Sequence, residues 1–310
     1  MNKMKKIILS GSTGFIGSNI KRKLSQNSRI SLFNVDLRKT KEEIELILKD
    51  NSFDYFIHSA GIHPKREDSY SKKIIDENNE MLKKMDSIFK RSKKIILISS
   101  FVNLIDYKKK IISENNLLQF NKSDSFYKIS KFNVEKYFLD LNDRFNKDLI
   151  TLYPCHVIGP NDFSISPNGI YFKSIMKNKI NLYFNIQYPL TDVREIASYV
   201  DFIIENDFKS HKKIILTNNL KMIDLIKKIK KNQNFFINIR LFNFLSLIFF
   251  IFNFFIVKMF FLKKNYFSLS TLKYIQLNPK VYSTLNNNYQ NKYVVDDTIN
   301  DTLNFFNNYE

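Results

Sequence analysis

The sequence predicts an α/β fold, a doubly wound parallel sheet followed by a smaller, mostly helical C-terminal part. Three observations carry this. The chain opens with an apolar run that passes straight into a glycine-spaced turn, and short apolar strands alternate with helical patterns through the first 160 residues. Tyr127 and Lys131, four residues apart, then fall on one of those helices.

Residues 5–10 read Lys-Lys-Ile-Ile-Leu-Ser, a run suited to a buried parallel strand, and Gly11-x-x-Gly14-x-x-Gly17 follows at once and leads into a helix. The first glycine permits a tight turn, the second lets backbone amides approach a pyrophosphate, and the third allows close helix–strand packing at a helix N-terminus. Half of the chain's six glycines sit in this turn, which points to dinucleotide binding. Downstream, residues 30–36 read as a strand, 41–48 as a helix, 53–59 as a strand, 74–89 as a helix and 94–99 as a buried strand. Residues 125–141 read as a helix and 149–157 as a strand. Such alternation implies crossover connections and a Rossmann-type sheet, with ligands gathered at the carboxyl ends of the strands. The expected division is a dinucleotide-binding domain over 1–160 and a mainly substrate-binding domain over 161–310, with one or more later segments returning to the sheet.

Composition narrows the classes. At 310 residues and 44% apolar content the chain can bury a sizeable core. A single cysteine, Cys155, excludes an internal disulfide framework and fits a reducing compartment. The short apolar start followed by glycines does not read as a signal peptide, so a cytoplasmic protein is expected. His58, His63, His156 and His211 show no metal-ligand spacing with the cysteine, and no metal is expected. The formal charge of +19 would ordinarily suggest nucleic acid. Here lysines are scattered through every segment beside abundant Asn, Ile and Phe, with no basic stripe, so no nucleic-acid partner is expected and the charge favours phosphate-bearing ligands.

The spacing of Tyr127 and Lys131 has a chemical reason. A phenol with a pKa near 10 is a poor acid–base catalyst at neutral pH until a neighbouring positive charge favours the phenolate. One helical turn puts Lys131 on the same face as Tyr127, where it can supply that charge and also reach ribose hydroxyls. Ser100, at the end of the strand before, can orient a carbonyl by hydrogen bond.

These pieces resemble the extended short-chain dehydrogenase/reductase superfamily, the NAD-dependent epimerase/dehydratase group, along most of the chain. The resemblance rests on Gly11-x-x-Gly14-x-x-Gly17, Ile57-His58-Ser59-Ala60-Gly61, Asn78 opening a helix, Ile98-Ser99-Ser100, Tyr127-x-x-x-Lys131, Tyr153-Pro154-x-x-x-x-Gly159-Pro160 and Asp192-Val193-Arg194-Glu195-Ile196-Ala197. The stretches 159–163 and 166–169 look most like dihydroflavonol-reductase-like enzymes and hopanoid-associated sugar epimerases. The resemblance implies catalytic roles for Ser100, Tyr127 and Lys131, with Ser100 preferred to Ser99 because it stands four residues before Leu104, where relatives often carry a tyrosine followed by glycine. It implies a dinucleotide cofactor, NAD or NADP, held by Gly11, Gly14, Phe15, Ile16 and Gly17 at the pyrophosphate. Toward the nicotinamide it implies Ala60, Gly61, Asn78, Ser99, Tyr127, Lys131, Pro154 and Val157.

Asp36 and Leu37 are expected at the adenosine. Asp36 ends the second strand about 20 residues after the glycine loop, where an acid binds ribose hydroxyls, yet Asp36-Leu37 also looks like the family's later Asp-Leu segment beside the adenine. Only 43 residues separate Gly17 from Ala60, so one strand–helix unit is expected to be missing or compressed. Arg38 could serve a 2′-phosphate, which leaves NAD against NADP open. Two departures touch the reacting end: Tyr153 replaces an arginine common in nucleotide-sugar members, and Asn103-Leu104-Ile105 replaces Val-Tyr-Gly. Cys155 and His156 read as a packed thiol and a buried neutral histidine.

The expected function is an NAD(P)-dependent oxidoreductase or epimerase acting on a secondary alcohol or carbonyl, most plausibly of a nucleotide-activated sugar. The alternatives are a reductase of a lipidic or polycyclic carbonyl near a membrane and a non-catalytic dinucleotide-binding regulator. The resemblance leaves room for a homodimer. Residues 241–257 contain only three polar side chains, Asn243, Ser246 and Asn253, and at seventeen residues stand at the lower limit for spanning a bilayer. They read as a packed helix, a membrane-surface anchor or a span. With Lys258 the polar positions fall within roughly 140° at 100° per residue, so the segment is expected to lie flat, with membrane contact peripheral if it occurs. Extraction of the protein by high salt or alkaline carbonate without detergent is the expected outcome of fractionation. Carbonate resistance, with residues after 262 labelled from the opposite face, would place it among transmembrane proteins.

Overall fold

The computed structural model describes residues 4–49, 51–62, 72–120, 124–177, 181–208, 212–230, 236–239, 269–284 and 289–309. Residues 241–257 lie outside them. In chain order the elements are β1 (Lys5–Ser10), α1 (Phe15–Leu24), β2 (Ile30–Val35), α2 (Lys41–Leu48), β3 (Phe53–His58), α3 (Lys73–Leu82), α4 (Asp86–Arg91) and β4 (Ser92–Ile98). A 3-10 turn at Phe101–Leu104 is followed by β5 (Ile111–Ile112), α5 (Phe126–Phe145), β6 (Asp148–Pro154), β7 (His156–Ile158), α6 (Pro167–Lys177), β8 (Asn181–Phe184), β9 (Leu190–Asp192) and α7 (Val193–Asn206). The chain closes with β10 (Lys212–Leu216), α8 (Met222–Ile229), β11 (Phe236–Ile239), α9 (Leu269–Leu277), β12 (Lys280–Val281) and α10 (Val295–Asn308).

Six of these strands form one parallel sheet in the order β10-β6-β4-β3-β1-β2. Its strands are apolar on both faces because helices cover both. Ile7, Leu9, Ile57, Ile96 and Ile150 pack on the side of α1 and α7, while Ile8, Phe56, Ile95, Leu97 and Leu149 alternate with them onto the side of α2, α4 and α5. Only β2 lies outside β1, so one strand is absent from that edge and the short spacing between Gly17 and Ala60 is explained. A separate core collects after residue 157, with Ile158, Phe172, Leu190, Leu225, Ile226 and Phe306 at its centre. Arg194 fastens α7 to α10: its guanidinium donates to Asp192 Oδ2 at 2.7 Å and Asp301 Oδ2 at 2.6 Å, and lies 4.2 Å from the Tyr293 ring.

Two expected elements are divided. The helix expected over 74–89 is two helices, because the hydrogen bonds tighten at Lys84 and Met85, whose N–H groups donate to Met81 and Leu82 carbonyls three residues back. The break buries Met85 completely and lets the Lys84 ammonium donate to Leu37 and Lys39 carbonyls. The strand expected over 149–157 parts at Cys155, whose N–H donates to Thr191 Oγ1 at 2.8 Å, and residues 156–158 pair with β9 instead of continuing the main sheet. Among the described residues no helix is long and apolar enough to cross a membrane, and no group of three His, Cys, Asp or Glu could hold a metal ion.

Phe138 on α5 is fully buried between Phe56, Phe89 and His58, with ring centroids 6.0, 5.8 and 5.0 Å away. Phe138→Ala is therefore expected to lower the free energy of unfolding by about 3–5 kcal/mol, read by urea titration.

Candidate active site

The sheet order reverses between β1 and β3, so the loops at their carboxyl ends open a crevice side by side. Gly11, the first residue after β1, has a φ of +77°, and a Cβ there would stand 2.5 Å from Ala60 N. A Cβ on Gly17 would stand 2.0 Å from Gly11 O. Both glycines are fixed by backbone contact. Gly14 differs: its φ is −77° and a Cβ there meets only Gly11 O, at 3.4 Å. Its place is compatible with a side chain as far as the fold is concerned.

The residues around this loop fit a dinucleotide pyrophosphate. Helix α1 starts at Phe15 with no side-chain cap and no acid in its first turn. Helix α2, by contrast, has a Thr40–Glu43 capping box with Glu42 and Glu43 in its first turn. The amides from Phe15 and Ile16 to Gly17 thus offer uncapped donors and the positive end of the helix dipole to an anion. Asp36 directly follows β2, and Leu37 beside it is 2% exposed. Arg38 grips the Asp36 carboxylate, with Nε 2.9 Å from Oδ1 and Nη2 2.7 Å from Oδ2, and this hydrogen bonding holds the acid below the usual carboxylate range. Asp36 caps no helix, since Thr40 does so.

At the reacting end, Tyr127 lies in the first turn of α5, half-buried, and shares a hydrogen bond with Ser100. Burial raises the phenol's pKa, and the Ser100 bond opposes that rise. One turn on, Lys131 Nζ lies over Gly61, where a Cβ would come within 3.2 Å of it and within 3.8 Å of Asn78 Oδ1. Gly61 is the space that the ammonium uses. Burial lowers Lys131 to about 8, opposed by the charge of Glu135. His58 beneath it is driven to about 3, by burial first and by Lys131 second, so it is neutral at physiological pH and its Nδ1 lies 2.8 Å from Ser10 Oγ.

Asn78 does not open a helix. It sits within α3, because the helix already begins at Lys73, and it is 4% exposed. Its amide donates to Ile74 O at 2.8 Å and Ser130 Oγ at 2.9 Å, while its Oδ1 accepts from Ile62 N at 3.0 Å. It thereby locks the loop after β3 to α5. Ser99 points elsewhere than Ser100, donating to Glu135 Oε2 at 2.5 Å. Pro154 is buried at the end of β6, and Val157 in β7 accepts from Asn168 at 3.2 Å.

Two buried residues beside this site, Glu135 and Lys128, belong to none of the sequence motifs. Glu135 is 1% exposed and lies one turn beyond Lys131 on the same face, a position the same helical arithmetic could have flagged. Lys128, 3% exposed, pairs with Asp124 at 3.1 Å, donates to Ile105 O at 3.2 Å and lies 4.8 Å from the Tyr107 ring, so it anchors the start of α5 beside Tyr127. Burial pushes the Cys155 thiol up to about 12 and lowers His156 to about 4, which makes both inert near neutral pH. A cavity of about 520 Å³ lies on the far flank of α5, between β6 and β10, bordered by Glu135, Tyr153 and Lys213, away from the glycine loop and Tyr127.

A glycine loop at the switch point of a parallel sheet, with a Tyr-Lys helix facing it, defines a dinucleotide-dependent enzyme. The sequence profile of the NAD dependent epimerase/dehydratase family matches residues 7–216, and the chain belongs to that family. Its cofactor is accordingly NAD-type. A search of curated protein sequences found no significant match. Among solved structures the chain is similar to gox2253, at 17% identity with 98% of each chain covered and a TM-score of 0.76. It is similar to UDP-glucose 4-epimerase from Thermotoga maritima, with UDP-glucose, at 15% identity, 98% and 99% coverage and a TM-score of 0.66. It is also similar to dTDP-glucose 4,6-dehydratase from Bacillus anthracis in complex with NAD, at 13% identity, 99% and 97% coverage and a TM-score of 0.65.

Because Gly14 has room for a side chain while the amides beside it face the crevice, Gly14→Val is expected to keep native circular dichroism and lose NAD binding by calorimetry. Retained affinity in the folded variant would remove the loop from the cofactor site.

Proposed function

We propose that the protein is an NAD-dependent epimerase or oxidoreductase acting at a secondary alcohol or carbonyl of a nucleotide-activated sugar, with Ser100, Tyr127 and Lys131 as its catalytic residues. The observation that carries this reading is the hydrogen bond between Tyr127 and Ser100, with Lys131 one turn away over Gly61. Bound NAD supplies the hydride acceptor and a positive charge on its nicotinamide. Tyr127 takes the hydroxyl proton of the substrate in oxidation and returns it in reduction. Ser100 orients the substrate oxygen toward that phenol, and Lys131 places the ribose and favours the phenolate. Because burial raises the Tyr127 pKa in the protein alone, phenolate formation leans on cationic neighbours. The part of the chain from 161 onward, with its own core, is read as the substrate-binding domain. The similarity in fold to a UDP-glucose 4-epimerase and a dTDP-glucose 4,6-dehydratase supports the sugar class.

A second reading, reduction of an apolar or polycyclic carbonyl, is favoured by one feature. An aromatic wall begins at Phe101, the residue after Ser100: His156 stacks on Tyr188 at 4.1 Å and meets Phe101 at 5.3 Å, and Tyr274 lies 6.3 Å from Phe101. The dinucleotide that co-purifies separates the two, since tightly held NAD marks an internally recycling epimerase and freely exchanging NADPH a reductase.

Tyr127→Phe is expected to slow turnover of UDP-glucose, or of the nucleotide sugar found to react, by roughly 10²- to 10⁴-fold with NAD affinity nearly unchanged. A variant with wild-type turnover would take Tyr127 out of the mechanism.

A further inference from the structure

The two places where this chain departs from its family's pattern near the reacting end, Asn103 and Tyr153, meet on one buried carboxylate. Glu135 Oε2 accepts from Asn103 Nδ2 at 2.8 Å and from Ser99 Oγ at 2.5 Å, and Glu135 Oε1 accepts from the Tyr153 hydroxyl. Glu135 is 1% exposed, Asn103 and Tyr153 are fully buried and Ser99 is 6% exposed. Burial raises the Glu135 pKa, and the three donors that converge on its carboxyl group oppose that rise by stabilising the anion. The same carboxylate therefore joins α5, the end of β4, the 3-10 turn and the end of β6.

We infer that Glu135 is a positioning residue, which frames Ser100 and sets a negative charge one helical turn from Lys131 for the reaction at Tyr127. The geometry acts on both. Ser100 stands between Ser99 and Asn103, both bound to Glu135 Oε2, and its carbonyl accepts from Asn103 N at 3.1 Å. Its hydroxyl is thus aimed at Tyr127 by a frame that Glu135 closes. Lys131 is the preceding residue on the Glu135 face of α5, one turn nearer Tyr127, and the Glu135 charge counters the loss of its proton on burial. The other groups facing Lys131 are neutral: His58 from β3 and the Asn78 amide from α3. Glu135 is faced in turn by Tyr153 from β6 and by the charge of Lys213 from β10. Around Lys131, then, Glu135 is the group whose charge opposes the loss of the lysine proton on burial.

This inference rests on the reading of Ser100, Tyr127 and Lys131 as the catalytic set, and its test needs no substrate. In the full-length protein labelled with carbon-13 at lysine Cε, the Lys131 signal is identified by its absence from Lys131→Arg. Glu135→Gln, which keeps the volume and removes the charge, is expected to move the Lys131 titration midpoint down by about one pH unit or more, with NAD affinity by calorimetry within roughly threefold of wild type. A folded variant with an unmoved midpoint overturns the inference. Should Glu135→Gln not fold, the wild-type protein carries the test: the Lys131 signal is expected to show a second, acid inflection as Glu135 takes up its proton, above the pH at which circular dichroism begins to change. A single inflection overturns the inference as well. Full activity in Tyr127→Phe would defeat the catalytic reading while leaving this titration result standing, so the two failures are distinct.

Discussion

The architecture depends on a close approach between backbones that only missing side chains permit. Gly11 lies against Ala60 and Gly17 against Gly11, so the loop after β1, the loop after β3 and the start of α1 are pressed into one another. A methyl group at either position would overlap backbone atoms, which cannot move aside as the end of a flexible side chain can. This contact brings the uncapped end of α1 to the switch point of the sheet. The crevice, the anion-binding amides and the nearness of Gly61 to Lys131 all follow from it.

Helix α5 carries the second constraint, since a single helix must serve both the core and the site. Its buried stripe runs from Lys128 and Ser130 through Val134 and Glu135 to Phe138 and Leu141. Toward its C-terminus the stripe is apolar except for Asn142 and fills the space under β3 and β4. Toward its N-terminus it is polar, and each buried polar group has a defined partner: Lys128 with Asp124, Ser130 with Asn78, Glu135 with Ser99, Asn103 and Tyr153. Unpaired, such groups would each cost on the order of 1–3 kcal/mol, so the site is assembled from networks of partnered side chains.

Much of the fold was legible because local patterns and tertiary packing agree. The bounds expected for α2 are those observed, and a capping box of Thr40 and Glu43 closes its start. The strands of the sheet were legible because burial on both faces demands continuous apolar runs. Where the readings diverged, a long-range contact prevailed. The helix expected through residue 89 stops at Leu82 because Met85 enters the core, and the strand expected through 157 turns out of the sheet at Cys155, whose N–H is shared between Leu216 O and Thr191 Oγ1, before residues 156–158 pair with β9.

The sequence by itself determined the class of the protein and put forward Tyr127 and Lys131 as a reactive pair, because glycine spacing and the four-residue interval between those two are encoded along the chain. It also showed that a unit was missing, by simple length. What only the tertiary structure decided is how those groups are held. Ser99 and Ser100 are neighbours that sequence alone separates only by analogy, and they differ because one meets Glu135 and the other Tyr127. Asn78 proved a brace between the loop after β3 and α5, and Asp36 proved to be gripped by Arg38. Asn103, Glu135 and Tyr153 lie far apart along the chain and share one buried charge. Such convergence has no local signal, since it arises from the parallel sheet bringing the ends of β4 and β6 beneath one helix.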